Sequence, residues 1–393
     1  MEVKAMIQAF SACTSEIDDA ELAVKEIVEQ LGYEGKLLKN TVGIMSCFTD
    51  FIETGIVKAL CDALPFDVLG CTTIANASAG QWGETMLCLL ALTSDDAEFV
   101  TGLSEPILEE DIRALRRSYE EATRGRDGRP SLEISFSPLL LSAGNDFFVE
   151  SMDEITGGTP LFGALPVDHN TDYHDARVIF KGEAWRDRCA FLLFYGDVAP
   201  RFYTGDISKD KIFPEEGTVT ASKGNVIQSV NRKPIIEYLM SLGLTKNENG
   251  DIAGINSFPI IADYNDGSEP TIITMFAMTP EGYAVCSGKA PVGSTLAVGR
   301  LSPFEVTATS ANTLKKFLDE TQCGAALIFS CIGRYFSLMY DQSAEMQMVV
   351  SWMENRDIPY LMAYSGGEAC PARDDAGILI NRARSNTFTI CVI

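Results

Sequence analysis

Apolar positions along the chain alternate between two textures, stretches with one apolar face at helical spacing and short unbroken apolar runs of strand length. Read in order, they form a unit that recurs three times. The first copy predicts a strand over 5–12, a helix Asp19–Leu31, a strand Val42–Phe48, a helix Asp50–Leu64, a strand Asp67–Thr73 and a closing strand Met86–Thr93. The second predicts Glu98–Thr101, Glu109–Thr123, Leu132–Phe136, Asp146–Ile155, Leu161–Val167, Arg177–Phe180 and Ala190–Tyr195 in the same order. The third predicts a strand Phe304–Thr309, helices Asn312–Glu320 and Ala344–Glu354, and strands Ala325–Ser330, Tyr360–Tyr364 and Phe388–Val392.

The runs Gly43–Phe48, Leu132–Ser137 and Ala326–Cys331 share a texture, mainly apolar and ending near small polar residues. Such runs suit central strands covered on both faces. Helices between them permit parallel crossovers, so each copy reads as a β-α-β-α-β-β layer in a mixed sheet, and the fold class is α/β. Between the second and third copies, Gly205–Arg300 is richer in strands and carries two turn signals, Asn247–Asp251 and Asn265–Ser268. A helix over Lys233–Leu242 starts with Pro234 in its first turn, where the missing N–H costs nothing. Polar Ile207–Gly217, with Pro214, reads as a linker, which divides the chain into 1–215 and 216–393, the latter holding the strand-rich 216–300 and the third copy 301–393.

Composition narrows the function. With 31 basic against 55 acidic side chains the net charge is −24, which opposes the counterion release that holds nucleic acid and repels anionic lipid. No run approaches the length of a membrane span, and the first 20 residues carry Glu2, Glu16, Asp18 and Asp19 where a signal peptide needs a basic start and an apolar middle. A cytoplasmic protein is expected, without nucleic-acid or membrane partners. The 11 cysteines show no C-x-x-C and sit mostly in apolar runs, so they read as small buried residues in a reducing compartment.

Signatures of catalysis are missing: there is no H-E-x-x-H, G-x-S-x-G, G-x-x-x-x-G-K-[ST] or strand-bound G-x-G-x-x-G. The stretch Asp263–Gly267 resembles a calcium loop only superficially and reads as a hairpin turn. Asp168–Asp175, with His169 and His174, is the richest set of metal-capable groups and reads either as a solvated polar loop or as a site for metal or haem. Arg334 and Glu368 each follow a buried strand of the third copy, where open α/β sheets favour ligands. A guanidinium can grip a carboxylate and a carboxylate can receive an ammonium, so the pair could hold both ends of an amino acid, or simply neutralise one another. Cys331, Tyr364 and Asn386 would line the same place, and Cys331 is either a buried structural thiol or a nucleophile activated by Arg334.

These residues also carry a family resemblance. Val219–Val226 followed by Asn231–Pro234, the stretch Gly324–Arg334 with its Ser-Cys-x-Gly-Arg ending, and Tyr364–Pro371 followed by Asn386-Thr387-Phe388 resemble the C-terminal FIST domain. Upstream, Leu69–Thr73 and Phe162–Asp168 resemble two glycine-bearing strand ends of the N-terminal FIST domain. The resemblance implies intracellular sensing in signal transduction, with small molecules such as amino acids or carboxylates as ligands. It adds Cys71, Thr72 and Asp168 to the candidate ligand-binding set. Some relatives resemble haem-binding nitric-oxide sensors, which here would use His169 or His174; otherwise no cofactor is expected. The two FIST halves use up the chain, so a separate output protein, such as a kinase or cyclase, would transmit the signal. An enzyme is not expected, and one would have to rest on Cys331.

Overall fold

The structure, a computed structural model, describes residues 6–108, 111–140, 144–170, 173–248, 250–321, 324–354, 356–373 and 376–393. Ala5, Glu109, Glu110, Thr171, Asp172 and Asn249, which belong to predicted elements or motifs, lie outside the described residues, as does Cys323. The fold is α/β, with mixed sheets and crossover helices.

The first layer runs β1 (Gln8–Thr14), α1 (Ala20–Leu31), β2 (Asn40–Cys47), α2 (Ile56–Ala63), β3 (Asp67–Thr72), a hairpin β4 (Asn76–Ser78) and β5 (Gln81–Gly83), and β6 (Leu87–Ser94). Local chemistry sets its helix ends. Asp19 caps α1 by accepting from the N–H groups of Glu21 and Leu22, and Gly32 closes it at φ +50°. The single helix predicted over Asp50–Leu64 is two pieces, a turn Asp50–Glu53 and then α2, because Gly55 between them takes φ +80°.

The second layer runs β7 (Glu98–Leu103), α3 (Ile112–Ala122), β8 (Leu132–Phe136), α4 (Asn145–Thr156), β9 (Leu161–Ala164), a hairpin β10 (Val178–Phe180) and β11 (Glu183–Trp185), and β12 (Ala190–Tyr195). The third opens with β13 (Arg201–Gly205) and, beyond the strand-rich segment, continues through α5 (Pro303–Glu320), β14 (Ala326–Cys331), α6 (Ile332–Ser337), α7 (Ala344–Met353), β15 (Tyr360–Ser365), β16 (Glu368–Ala369), β17 (Ala383–Arg384) and β18 (Phe388–Val392). Phe304–Thr309, predicted as the opening strand of the third copy, is helical. Ser302 accepts from the Glu305 N–H and Pro303 occupies the first turn, and this cap overrides the β-branched Val306, Thr307 and Thr309. The threonine hydroxyls are absorbed by helix carbonyls, Thr309 donating to Glu305 O at 2.9 Å.

Three six-stranded sheets result, ordered β1-β6-β2-β3-β10-β11, β7-β12-β8-β9-β16-β17 and β13-β18-β14-β15-β4-β5. In each, one central pair is parallel (β2 with β3, β8 with β9, β14 with β15). Beyond that pair each sheet is completed by strands from another layer: the first layer's hairpin joins the third sheet, the second's joins the first, and β16 and β17 of the third join the second. The third sheet thus combines strands from both sides of residue 215.

Period-two alternation decides what each sheet face covers. Ile44, Leu90, Ile134, Phe162, Leu192, Leu327, Phe329 and Leu361, drawn from all three sheets, share one central core. The opposite faces pack on helices, with Ile27 and Leu60 over the first sheet, Leu115 and Phe148 over the second, and Leu314, Phe317 and Val349 over the third. The strand-rich segment keeps a separate core around Val219, Ile227, Leu239, Ile260 and Val298. The Asn265–Gly267 turn does connect a hairpin there, in which Ile260 faces Ile273.

Candidate functional site

The exchanged strands bring the carboxyl ends of β3, β9 and β15 to one place. The Val167 N–H donates to Thr72 O at 3.2 Å, the Tyr364 N–H to Ala75 O at 3.2 Å, and Leu165 and Gly367 are joined at 3.0 Å. Thr73 Oγ1 sits between two of these ends, donating to Tyr364 O at 2.8 Å and lying 2.9 Å from Ala75 O. The three glycine-bearing or small-residue strand ends singled out from the sequence therefore meet in one hub.

Arg334, in the first turn of α6 just past β14, is fully buried beside the hub, within electrostatic range of Tyr364 and Glu368. Its carboxylate partner is Glu345 of α7, at 2.9 Å, and not Glu368. The same guanidinium donates to Val306 O at 2.8 Å, Thr309 Oγ1 at 3.1 Å and Ser310 Oγ at 2.6 Å. Ser310 and Ser330 complete the shell of Glu345 at 2.5 and 2.6 Å. Only Nη1 is weakly engaged, 3.5 Å from Asn386 O.

Glu368 lies beside this cluster with its carboxyl held by the hydroxyls of Ser365 at 2.5 Å and Thr387 at 2.8 Å. Burial pushes it up to about 8, against the pull of those two hydroxyls and of Arg334. A carboxyl of that kind holds its proton at neutral pH.

Cys331 ends β14 at the same place. Burial raises its thiol first and the Glu368 charge raises it further, outweighing the N–H groups of Asn386 and Gly333 and the Arg334 charge. Burial, and not activation by Arg334, therefore dominates the thiol. Tyr364 is likewise raised by burial and by the nearby Glu345 carboxylate. Asn386 takes φ +55°, donates to Thr274 Oγ1 of the strand-rich segment at 2.8 Å, and leaves its own Oδ1 buried and unbonded. Gly333 is required beneath it, since a Cβ there would come within 2.2 Å of that oxygen.

The N-terminal candidates border the hub. Cys71 and Thr72 end β3 in the core, and the Thr72 hydroxyl accepts the Arg177 N–H at 2.9 Å. Asp168 is buried and spends its two oxygens on the N–H groups of Asn170 and Asp175, each at 2.5 Å, so it acts as a loop cap. Tyr173 connects this loop to Cys331: burial first, then the Cys331 and Asp168 charges, push its hydroxyl up to about 12. His169 stands edge-on to Phe48 with Nε2 3.0 Å from Ile74 O, and His174 Nε2 is 3.3 Å from Asp175. Among the described residues no three metal-capable side chains converge.

Sequence reasoning missed Glu345, Ser310 and Ser330. Glu345 did leave a signal, an acidic residue one helical turn before Val349 on the apolar stripe of α7.

Comparison with known families agrees with this architecture. The FIST N domain matches residues 41–233 and the FIST C domain matches 235–371. The chain belongs to the FIST family, whose domains are sensory, signal-transducing and generally ligand-binding. No curated protein matches it. Phosphoribosylformylglycinamidine synthase II from Thermotoga maritima aligns over 99% of this chain and 72% of its own at 8% identity, with a TM-score of 0.20. No helix among the described residues is long and apolar enough to cross a membrane.

Proposed function

We propose that this protein is an intracellular ligand sensor whose ligand, an amino acid or a small carboxylate, binds at the hub and whose signal passes to a separate output protein. The observation that carries the reading is the hub's charge inventory: two carboxyls, Glu345 and Glu368, around one guanidinium whose Nη1 is barely used. A ligand carboxylate at Nη1 and an ammonium at Glu368, which would give up its proton, complete the inventory. Arg334, Tyr364 and Glu368 are all fully buried, so access requires the hub to open. Opening couples binding to a change in how the three strand ends meet, and those ends belong to all three layers; a sensor needs such coupling.

A thermal-shift screen of amino acids and small acids tests this. At a hundredfold excess over Kd a ligand that binds only the native state adds about 2.7 kcal/mol. The expected result is a stabiliser whose effect is lost in Glu368→Gln, a variant whose native fold is checked by circular dichroism. Stabilisation that survives Glu368→Gln but vanishes in His169→Ala or His174→Ala, or a haem absorption band that depends on either histidine, would overturn it.

A further inference from the structure

A cleft of about 450 Å³ opens between the edge of β1 and helix α1, lined by Cys13, Thr14, Glu26, Glu29 and Gln30 among others. Cys13 stands directly opposite Cys88 in the antiparallel β1–β6 pair. The backbone of Cys13 is turned away from β6: its N–H donates to Gln30 Oε1 at 3.0 Å and its carbonyl accepts from Gln30 Nε2 at 2.7 Å. Cys13 and Cys88 therefore occupy a non-hydrogen-bonded site of the ladder, where opposed Cα atoms lie ~4.5 Å apart and side chains are closest. That spacing falls inside the ~4.4–6.8 Å over which a disulfide can close.

We infer that Cys13 and Cys88 form an oxidisable dithiol, with the cleft as the approach for a small hydroperoxide. Cys13 is the attacking sulfur. Its backbone faces the cleft through Gln30 while its thiol, 1% exposed, lies in the central core, so a hydroperoxide reaches it as the edge of β1 opens. The hydrogen bond with the Cys88 thiol lowers its pKa, against burial and the Glu26 charge, whereas burial raises that of Cys88. The Cys13 thiolate attacks one peroxide oxygen, the O–O bond breaks, and the other oxygen leaves with a proton as an alcohol or water. Cys88 then attacks the resulting sulfenic acid at sulfur, the S–O bond breaks, and the departing hydroxide takes the Cys88 proton as water. Two thiols are oxidised and one hydroperoxide is reduced. The bond also ends the donation of Cys13 Sγ to Ser78 O, now at 3.4 Å, and so frees an anchor of the β4–β5 hairpin that the third sheet borrows.

The whole native protein is treated with hydrogen peroxide, free thiols are blocked under denaturing conditions, and the digest is read by mass spectrometry. The Cys13–Cys88 linked peptide should dominate the cross-linked products, persist in Cys47→Ser and disappear in Cys88→Ser, where Cys13 instead carries a sulfenic or more oxidised sulfur. Linkage of Cys13 to another cysteine, or full recovery of both thiols from the native protein under conditions that oxidise the unfolded chain, would overturn the assignment; both arms are read on the unsubstituted protein.

Discussion

Two buried carboxyls sit in comparable places, each between a six-stranded sheet and the helices covering it, and they solve the same problem in opposite ways. Glu345, over the third sheet, has Arg334 at 2.9 Å and the hydroxyls of Ser310 and Ser330. Glu133, in the middle of β8, turns outward beneath α3 and α4 with neither oxygen hydrogen-bonded. Burial, with Asp153 nearby, pushes it up to about 8. One carboxyl is surrounded by a guanidinium and two hydroxyl donors, and the other survives by holding a proton. The same depth of burial therefore makes one residue costly to lose and the other costly to keep.

The sharpest way to break this comparison is to remove one member of the pair. Arg334→Met leaves Glu345 buried with no counter-charge, and the expected loss is about 3–5 kcal/mol of unfolding free energy in urea titration. Adding Glu345→Leu should return most of it, because the pair itself offers little beyond a well-packed apolar replacement. A double variant no better than Arg334→Met would show that the three donations to Val306, Thr309 and Ser310, and not the charge, are what matter.

Glu133 should behave in the reverse sense. Its ordinary value is 4.5 and its folded value about 8. Below about 4.5 both states hold the proton, so ionisation adds no difference between them there. Between 4.5 and 8 the unfolded chain releases the proton and the native state keeps it, so the native state loses stability as pH rises, by up to about 1.4 kcal/mol per unit. The stability gained by Glu133→Leu should be roughly 2–4 kcal/mol larger near pH 8 than near pH 4. Equal unfolding midpoints for the two proteins across that range would mean the carboxyl finds a partner in solution.

The contrast between the two sites also marks how far the sequence could be read. The central strands were legible because a short, predominantly apolar run is what a doubly covered strand requires; β2, β8 and β14 fall within a few residues of the predicted ones. Phe304–Thr309 misled because its β-branched residues outweighed a cap of only two residues, Ser302 and Pro303. The exchange of strands between layers was not legible: β4, β5 and β16 are two or three residues long, and their partners are fixed by tertiary contact rather than by any local period. The structure brings Cys331, Glu368 and Asn386 close to Arg334, as their strand-end positions suggested, yet Arg334's carboxylate partner was not foreseen. Glu368 stood at a strand end, where ligands are expected, whereas Glu345 was hidden in a helix with an otherwise apolar face.

Glu368 lies between the two extremes, and the smallest effect is expected there. Like Glu133 it is buried and pushed up to about 8, but like Glu345 it has both oxygens on hydroxyls. In Glu368→Gln the amide oxygen can still accept from one hydroxyl, and the amide NH₂ can donate to the other once that hydroxyl turns. Near pH 6 the change in unfolding free energy should therefore stay within about 1 kcal/mol. Between pH 6 and pH 8 the variant should gain about 2 kcal/mol on the unsubstituted protein, because it has no proton to hold, and the proton uptake on folding between pH 5 and 7 should fall by close to one. Calorimetric titration in two buffers of different ionisation enthalpy measures that uptake directly. If it is unchanged in Glu368→Gln but falls in Glu133→Gln, only the unpartnered carboxyl carries a proton through folding, and Glu368 enters the native state already charged, matched by the hydroxyls and by Arg334.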